Sequence, residues 1–144
     1  MPRPSSLGYT LLELLLVLAL LSGTGFVLLA KLGVQQKERN LSIAATQLTQ
    51  ELRDARQAAL SERTWYEVKF FYSARFYRVT CAGKTVRDIY LPKGVTFYND
   101  PNDFSFSASG TPNIGGTVAL NAGKLRKNII LMPVTARIRE ETVQ

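Results

Sequence analysis

Hydrophobic positions along this chain fall into three successive patterns. From Leu11 to Ala30 they are nearly continuous, twenty residues in which Glu13 is the only ionisable side chain. At the helical rise this run reaches about 30 Å, the thickness of a bilayer's hydrocarbon core. From Gln35 to Arg63 the apolar residues Leu41, Ala45, Leu48, Leu52, Ala55 and Ala59 step by four, three, four, three and four. That is one stripe on an amphipathic helix, with Glu51, Arg53, Asp54 and Arg56 on the other faces. After Arg63 the period falls to two, which reads as strand.

The first pattern predicts a membrane-inserting helix. A secretory signal would have a shorter apolar region and a small-residue cleavage site. A buried core helix would not be apolar on every face for five turns. No proline lies between Pro4 and Pro92, so the span and the stripe can form one helix of about fifty residues, roughly 80 Å long. A narrow stripe of Ala and Leu suits packing close against a sheet. Ser22-Gly23-Thr24-Gly25 interrupts the apolar run with small residues that suit close helix packing.

The third pattern predicts six or seven short strands. They are Trp65 to Phe71, Arg75 to Cys81, Thr85 to Leu91, Val95 to Tyr98, Phe104 with Phe106, Val118 with Leu120, and Ile129 to Val134. Turn residues at Pro92-Lys93-Gly94, Asn99-Asp100-Pro101-Asn102 and Gly110 to Gly116 separate them. Tight turns between short strands indicate antiparallel sheet. The fold class is therefore α+β: a long N-terminal helix packed on a small antiparallel β domain. With 144 residues, the part beyond the span has enough chain for one modest core.

A carboxylate in a membrane-length helix costs about 3 kcal/mol at mid-bilayer, so Glu13 calls for a role. Gly8 followed by Tyr9-Thr10-Leu11-Leu12-Glu13 and the Leu-rich run resembles the prepilin signal of type IV pilins and type II secretion pseudopilins. The resemblance implies cleavage after Gly8 by a prepilin peptidase and methylation of Tyr9 as the new first residue. It divides the chain into a leader, 1–8, a transmembrane and filament-core helix, 9–31, and an extracytoplasmic pilin-like domain, 32–144. Glu13 then pairs with the free amine of a neighbouring subunit and sets register. A paired buried charge costs far less than an isolated one. The other reading is that Glu13 sits at the lipid headgroup level, where its charge stays wet. The resemblance also implies that Ser22-Gly23-Thr24-Gly25 can loosen as the subunit passes from bilayer to filament. Lys31, Lys37 and Arg39 outweigh Arg3 of the leader, so a positive-inside count favours the reverse topology. The resemblance implies that the leader is cytoplasmic and the C-terminal domain lies outside the bacterial cytoplasmic membrane.

A narrower likeness covers the rest of the chain. Gln47-Leu48, Glu51-Leu52-Arg53-Asp54-Ala55-Arg56 and Ala59-Leu60 resemble the helix of the GspH/FimT-type minor pilins. Phe104-Ser105-Phe106, Gly110, Gly115-Gly116-Thr117-Val118 and Thr135-Ala136-Arg137-Ile138-Arg139 resemble that domain's later strands and C-terminal end.

Enzymatic chemistry finds little footing. With no histidine there is no His-based triad and no HExxH zinc site. The single cysteine, Cys81, excludes an intrachain disulfide and reads as a small hydrophobe in a strand. Gly110 to Thr117 falls one residue short of a P-loop, because Gly116 stands at the lysine position and strand follows. A hairpin turn explains it better. Asn99, Asp100, Asn102 and Asp103 are calcium-ligating residue types, yet a plain turn accounts for them. No cofactor and no metal are expected.

Charge is the remaining clue. The chain carries +7, and from Phe104 to Arg139 there are five basic residues and no acidic one: Lys124, Arg126, Lys127, Arg137 and Arg139. Arg137 and Arg139 alternate along one side of an extended tail and could both reach a phosphate backbone. In minor pilins of natural transformation a Gly-Arg-x-Arg tail is implicated in DNA binding. Here Ala136 stands at the glycine position and Glu140-Glu141 follow. A solvated basic rim or contact with membrane lipid headgroups are the other readings. Three functions fit: a minor pilin of a type IV pilus or competence pseudopilus, touching double-stranded DNA during uptake; a type II secretion minor pseudopilin; or a membrane-tethered binding domain outside any filament.

Overall fold

In the computed structural model, residues 10–143 are described, with the side chains at 22–32 excepted. The leader, Gly8 and Tyr9 lie outside these residues, as do the side chains of Ser22 to Gly25. Two compact units divide the chain, residues 1–36 and 37–144.

One helix, α1 (Leu11–Glu62), runs through both units. It starts at Thr10, whose Oγ1 accepts from the backbone N–H of Glu13 at 3.3 Å. Thr10 and Glu13 thus hold the Thr-x-x-Glu spacing of a capping box, with the acid in the first turn where the helix dipole favours it. In the first unit the described leucines stand exposed, Leu11 at 78% and Leu12 at 75%. Among the described residues, which leave out the side chains at 22–32, no helix is long and apolar enough to cross a membrane. The helix ends as Arg63 turns left-handed, at φ 50°.

In the second unit the stripe from Leu41 to Ala59 is buried throughout. Eight strands follow. β1 (Tyr66–Phe71), β2 (Phe76–Cys81), β3 (Lys84–Tyr90) and β5 (Phe104–Phe106) form an antiparallel sheet in the order β3-β2-β1-β5. β4 (Thr96–Phe97), β6 (Gly116–Ala122), β7 (Leu125–Leu131) and β8 (Ile138–Val143) form a second, β4-β6-β7-β8. Ala82 and Gly83, both at positive φ, make a two-residue hairpin turn between β2 and β3.

Period-two burial builds the core. Val68, Tyr77 and Val79 from the first sheet and Val118, Leu120, Ile129 and Leu131 from the second pack in one cluster with Leu48 and Leu52. Phe70 of β1 meets Phe97 of β4 and Phe104 of β5 edge-on, with ring centroids 5.8 and 5.7 Å away. This joins the two sheets at their seam.

Three strand boundaries differ from the sequence pattern. The strand expected over Ile129 to Val134 stops at Leu131, and Val134 is 93% exposed beyond Pro133, which has no N–H to donate. Val95 to Tyr98 contracts to two paired residues, and the Asn99 side chain takes over, donating to the Thr117 carbonyl at 2.7 Å and accepting from Ala119 N–H at 2.8 Å. The tail is a full strand, β8, paired with β7 from Leu131↔Ile138 to Arg126↔Val143.

Candidate arginine cleft

Four arginines from two distant parts of the chain line one concavity. Arg53, Arg56 and Gln57 of α1 face Ala136, Arg137, Ile138 and Arg139 at the start of β8 across about 470 Å³. Helix periodicity explains the first pair, since residues three apart share a face. Ala55 and Ala59 of the same helix are buried in the core, which leaves Arg53 exposed and Arg56 half-buried at its rim. On the other wall, the loop between β7 and β8 is closed by Met132 N–H donating to the Arg137 carbonyl at 3.0 Å. Ala136 is buried and left-handed, at φ 50°, and Ile138 is buried, so the intervening Arg137 and the following Arg139 stay exposed.

The glycine-rich segment supports this cleft on both walls. Arg56 donates from Nε to the Gly110 carbonyl at 3.2 Å. Gly110 sits at φ +71°, in a reversal closed by Ser107 N–H donating to the Thr111 carbonyl at 3.0 Å. Asn113 N–H then returns to the Ser105 carbonyl at 2.9 Å. A Cβ on Gly115 would stand 2.4 Å from Cδ of Pro133 and 2.9 Å from the Leu131 carbonyl oxygen. Only glycine lets the loop that leads to Arg137 pack down there.

The cleft is electrostatically open. Among the described residues the ion pairs are Lys69–Glu67, Arg78–Asp88 and Arg87–Glu51, none of which uses a cleft arginine. Asp54, between Arg53 and Arg56 in sequence, accepts from Gln50 Nε2 at 2.9 Å. Uncompensated guanidinium groups in a concavity focus positive potential and present planar donor forks.

The other three basic residues that stand out by charge lie elsewhere. Lys127 lies on the inward side of β7, and its Nζ donates to Ser42 Oγ of α1 at 3.1 Å. The Arg126 guanidinium stacks over Tyr98, 3.3 Å from the ring centroid. Lys124 is exposed in the β6–β7 turn beside Gly123. The expected basic group thus divides: Arg137 and Arg139 enter the cleft, and Lys124, Arg126 and Lys127 do not line it. The sequence pattern puts Arg53 and Arg56 on the polar faces of the helix and within the minor-pilin likeness without giving them a binding role, although their spacing of three is a signal of a shared face. In the Asn99–Asp103 turn, Asp103 accepts from Phe70 N–H at 2.9 Å, a structural role that ties the turn to β1.

No protein-family model and no curated protein sequence matches this chain. Solved structures do. The type IV minor pilin FimU of Pseudomonas aeruginosa superposes with a TM-score of 0.60 at 20% identity, covering 74% of this chain and 96% of FimU. The minor pseudopilin EpsH from the type 2 secretion system of Vibrio cholerae superposes with a TM-score of 0.59 at 13% identity, covering 72% and 97%. The long helix packed on antiparallel sheets is the fold seen in FimU and EpsH, and this chain has it.

Proposed function

We propose that this chain is a minor pilin or pseudopilin, a structural subunit and not an enzyme. The observation that carries the reading is the pairing of a minor-pilin fold with a helix whose described leucines, from Leu11 to Leu21, are exposed. Such a surface needs a cover, and lipid before assembly and neighbouring subunits after it supply one. In this reading residues 9–31 span the cytoplasmic membrane, the domain from 32 lies outside, and Glu13 pairs with a neighbour's N-terminal amine in the filament. Prepilin peptidase removes residues 1–8 after Gly8, and Tyr9 is methylated.

The intact mass of the mature protein tests this. Loss of residues 1–8 with gain of one methyl group is expected; a chain that still begins at Met1 in cells containing the peptidase would overturn it and leave a membrane-tethered domain. Glu13→Leu should be processed normally and yet fail to enter filaments.

Within this role, contact with double-stranded DNA through Arg137 and Arg139 is the favoured finer reading, placing the subunit in a type IV pilus or competence pseudopilus. The two arginines stay exposed and free of acidic partners among the described residues, which supports it. The likeness to EpsH keeps the type II secretion reading as the second. Salt-sensitive binding of the full chain to duplex DNA, lost in Arg137→Gln with Arg139→Gln, separates them.

A further inference from the structure

We propose that α1 supplies half of the DNA site: Arg53 and Arg56 complete, with Arg137 and Arg139, a cleft for a run of phosphodiester backbone. This deepens the DNA-contact reading and rests on it.

Three observations argue for phosphate. Four arginines from elements far apart in sequence line one concavity, and among the described residues none of them forms an ion pair. Like charges gathered this way repel, and a polyanion relieves that repulsion. Arg56 is already held at Nε by Gly110, which leaves its two terminal nitrogens as an oriented fork. The volume, about 470 Å³, exceeds what a single phosphate group fills and suits a stretch of backbone.

The lining also says what the cleft does not read. Its residues are arginines, Gln57, Ala136 and Ile138, with no aromatic ring to stack a base. Phosphate contacts position a duplex without reporting its sequence. Binding should therefore be indifferent to base composition and steeply dependent on salt.

The test uses the full chain in detergent micelles with fluorescently labelled short duplexes, read by anisotropy across a salt series. Arg53→Gln with Arg56→Gln should weaken binding about tenfold and lower the slope of log affinity against log salt by about two. Arg53→Gln alone, at an exposed position with no partner to lose among the described residues, should lower it by about one. Lys84→Gln in β3 with Arg75→Gln in the β1–β2 turn removes the same charge away from the cleft and should have a smaller effect. Equal losses in the two double variants would show net charge alone at work and overturn the proposal. Parent-like binding by the Arg53 and Arg56 variants, while Arg137→Gln with Arg139→Gln abolishes it, would sink the helix half and spare the tail reading. Failure of the parent to bind any duplex at low salt would remove both. Competition by polyglutamate as strong as by duplex, at equal charge, would assign the cleft to carboxylates instead.

Discussion

Arg56 on the helix donates to the backbone carbonyl of Gly110, and this one bond ties α1 to the reversal between β5 and β6. It couples the orientation of a cleft arginine to a backbone that only glycine adopts easily. Perturbing either partner should therefore be felt at the other.

Gly110→Ala and Gly115→Ala separate two kinds of glycine requirement. At Gly110 the added Cβ meets the Leu60 side chain at 2.8 Å, but Leu60 is partly exposed and can give way. The cost is then mainly the left-handed backbone, about 1–2 kcal/mol. At Gly115 the obstacles are a proline ring and a backbone oxygen, which cannot move aside, so overpacking costs about 1–3 kcal/mol and displaces the loop before Arg137. Guanidinium unfolding measures both. If Gly115→Ala is as stable as the parent, the close approach of Pro133 is not what the geometry implies.

Ala136→Gly should stabilise the chain by about 1 kcal/mol, since Ala136 holds φ 50° against its own Cβ. Ala136→Val should destabilise it, because a β-branched residue resists that conformation more strongly. A lower unfolding midpoint for the glycine variant would contradict the strain.

Tyr77 is buried at 1% exposure, and its hydroxyl has no hydrogen-bond partner among the described residues. Tyr77→Phe keeps the ring and removes that orphaned group, so stability should hold or rise by up to about 1 kcal/mol. Burial raises the phenol above its ordinary value. The neutral phenol's contribution is complete below the unfolded value, about 10, and is lost as pH climbs above it. The parent should therefore lose stability in alkali faster than Tyr77→Phe, which thermal melts across that range would reveal.

Acid acts on Asp88. Arg78 donates to it from Nε at 2.6 Å and from Nη2 at 2.9 Å, and this pairing holds the carboxyl below the usual carboxylate range. With the folded value depressed, the stabilisation is present above the unfolded value, about 3.9, and disappears as pH falls through the folded one. The parent's melting advantage over Asp88→Asn should shrink below about pH 4. An advantage unchanged down to the acid limit would show that the pair contributes through shape and not through charge.

Much of this architecture is local in origin and so could be read along the chain. The proline-free run predicts one helix, and the stripe from Leu41 to Ala59 is the face that is buried, because a 3.6-residue period records its own core. Period-two alternation located most strands for the same reason. It missed β8, where Arg139-Glu140-Glu141 lie on an edge strand that buries little and so leaves a weak pattern. The cleft was the least legible feature. Arg137 and Arg139 stood out by charge, yet nothing near Arg53 and Arg56 in sequence says what they face. That juxtaposition depends on how the helix meets the second sheet, on Gly115 admitting Pro133, and on Ala136 turning left-handed. Helix and strand periods are written in neighbouring residues; the meeting of α1 with β8 is a long-range packing outcome that only the folded chain decides.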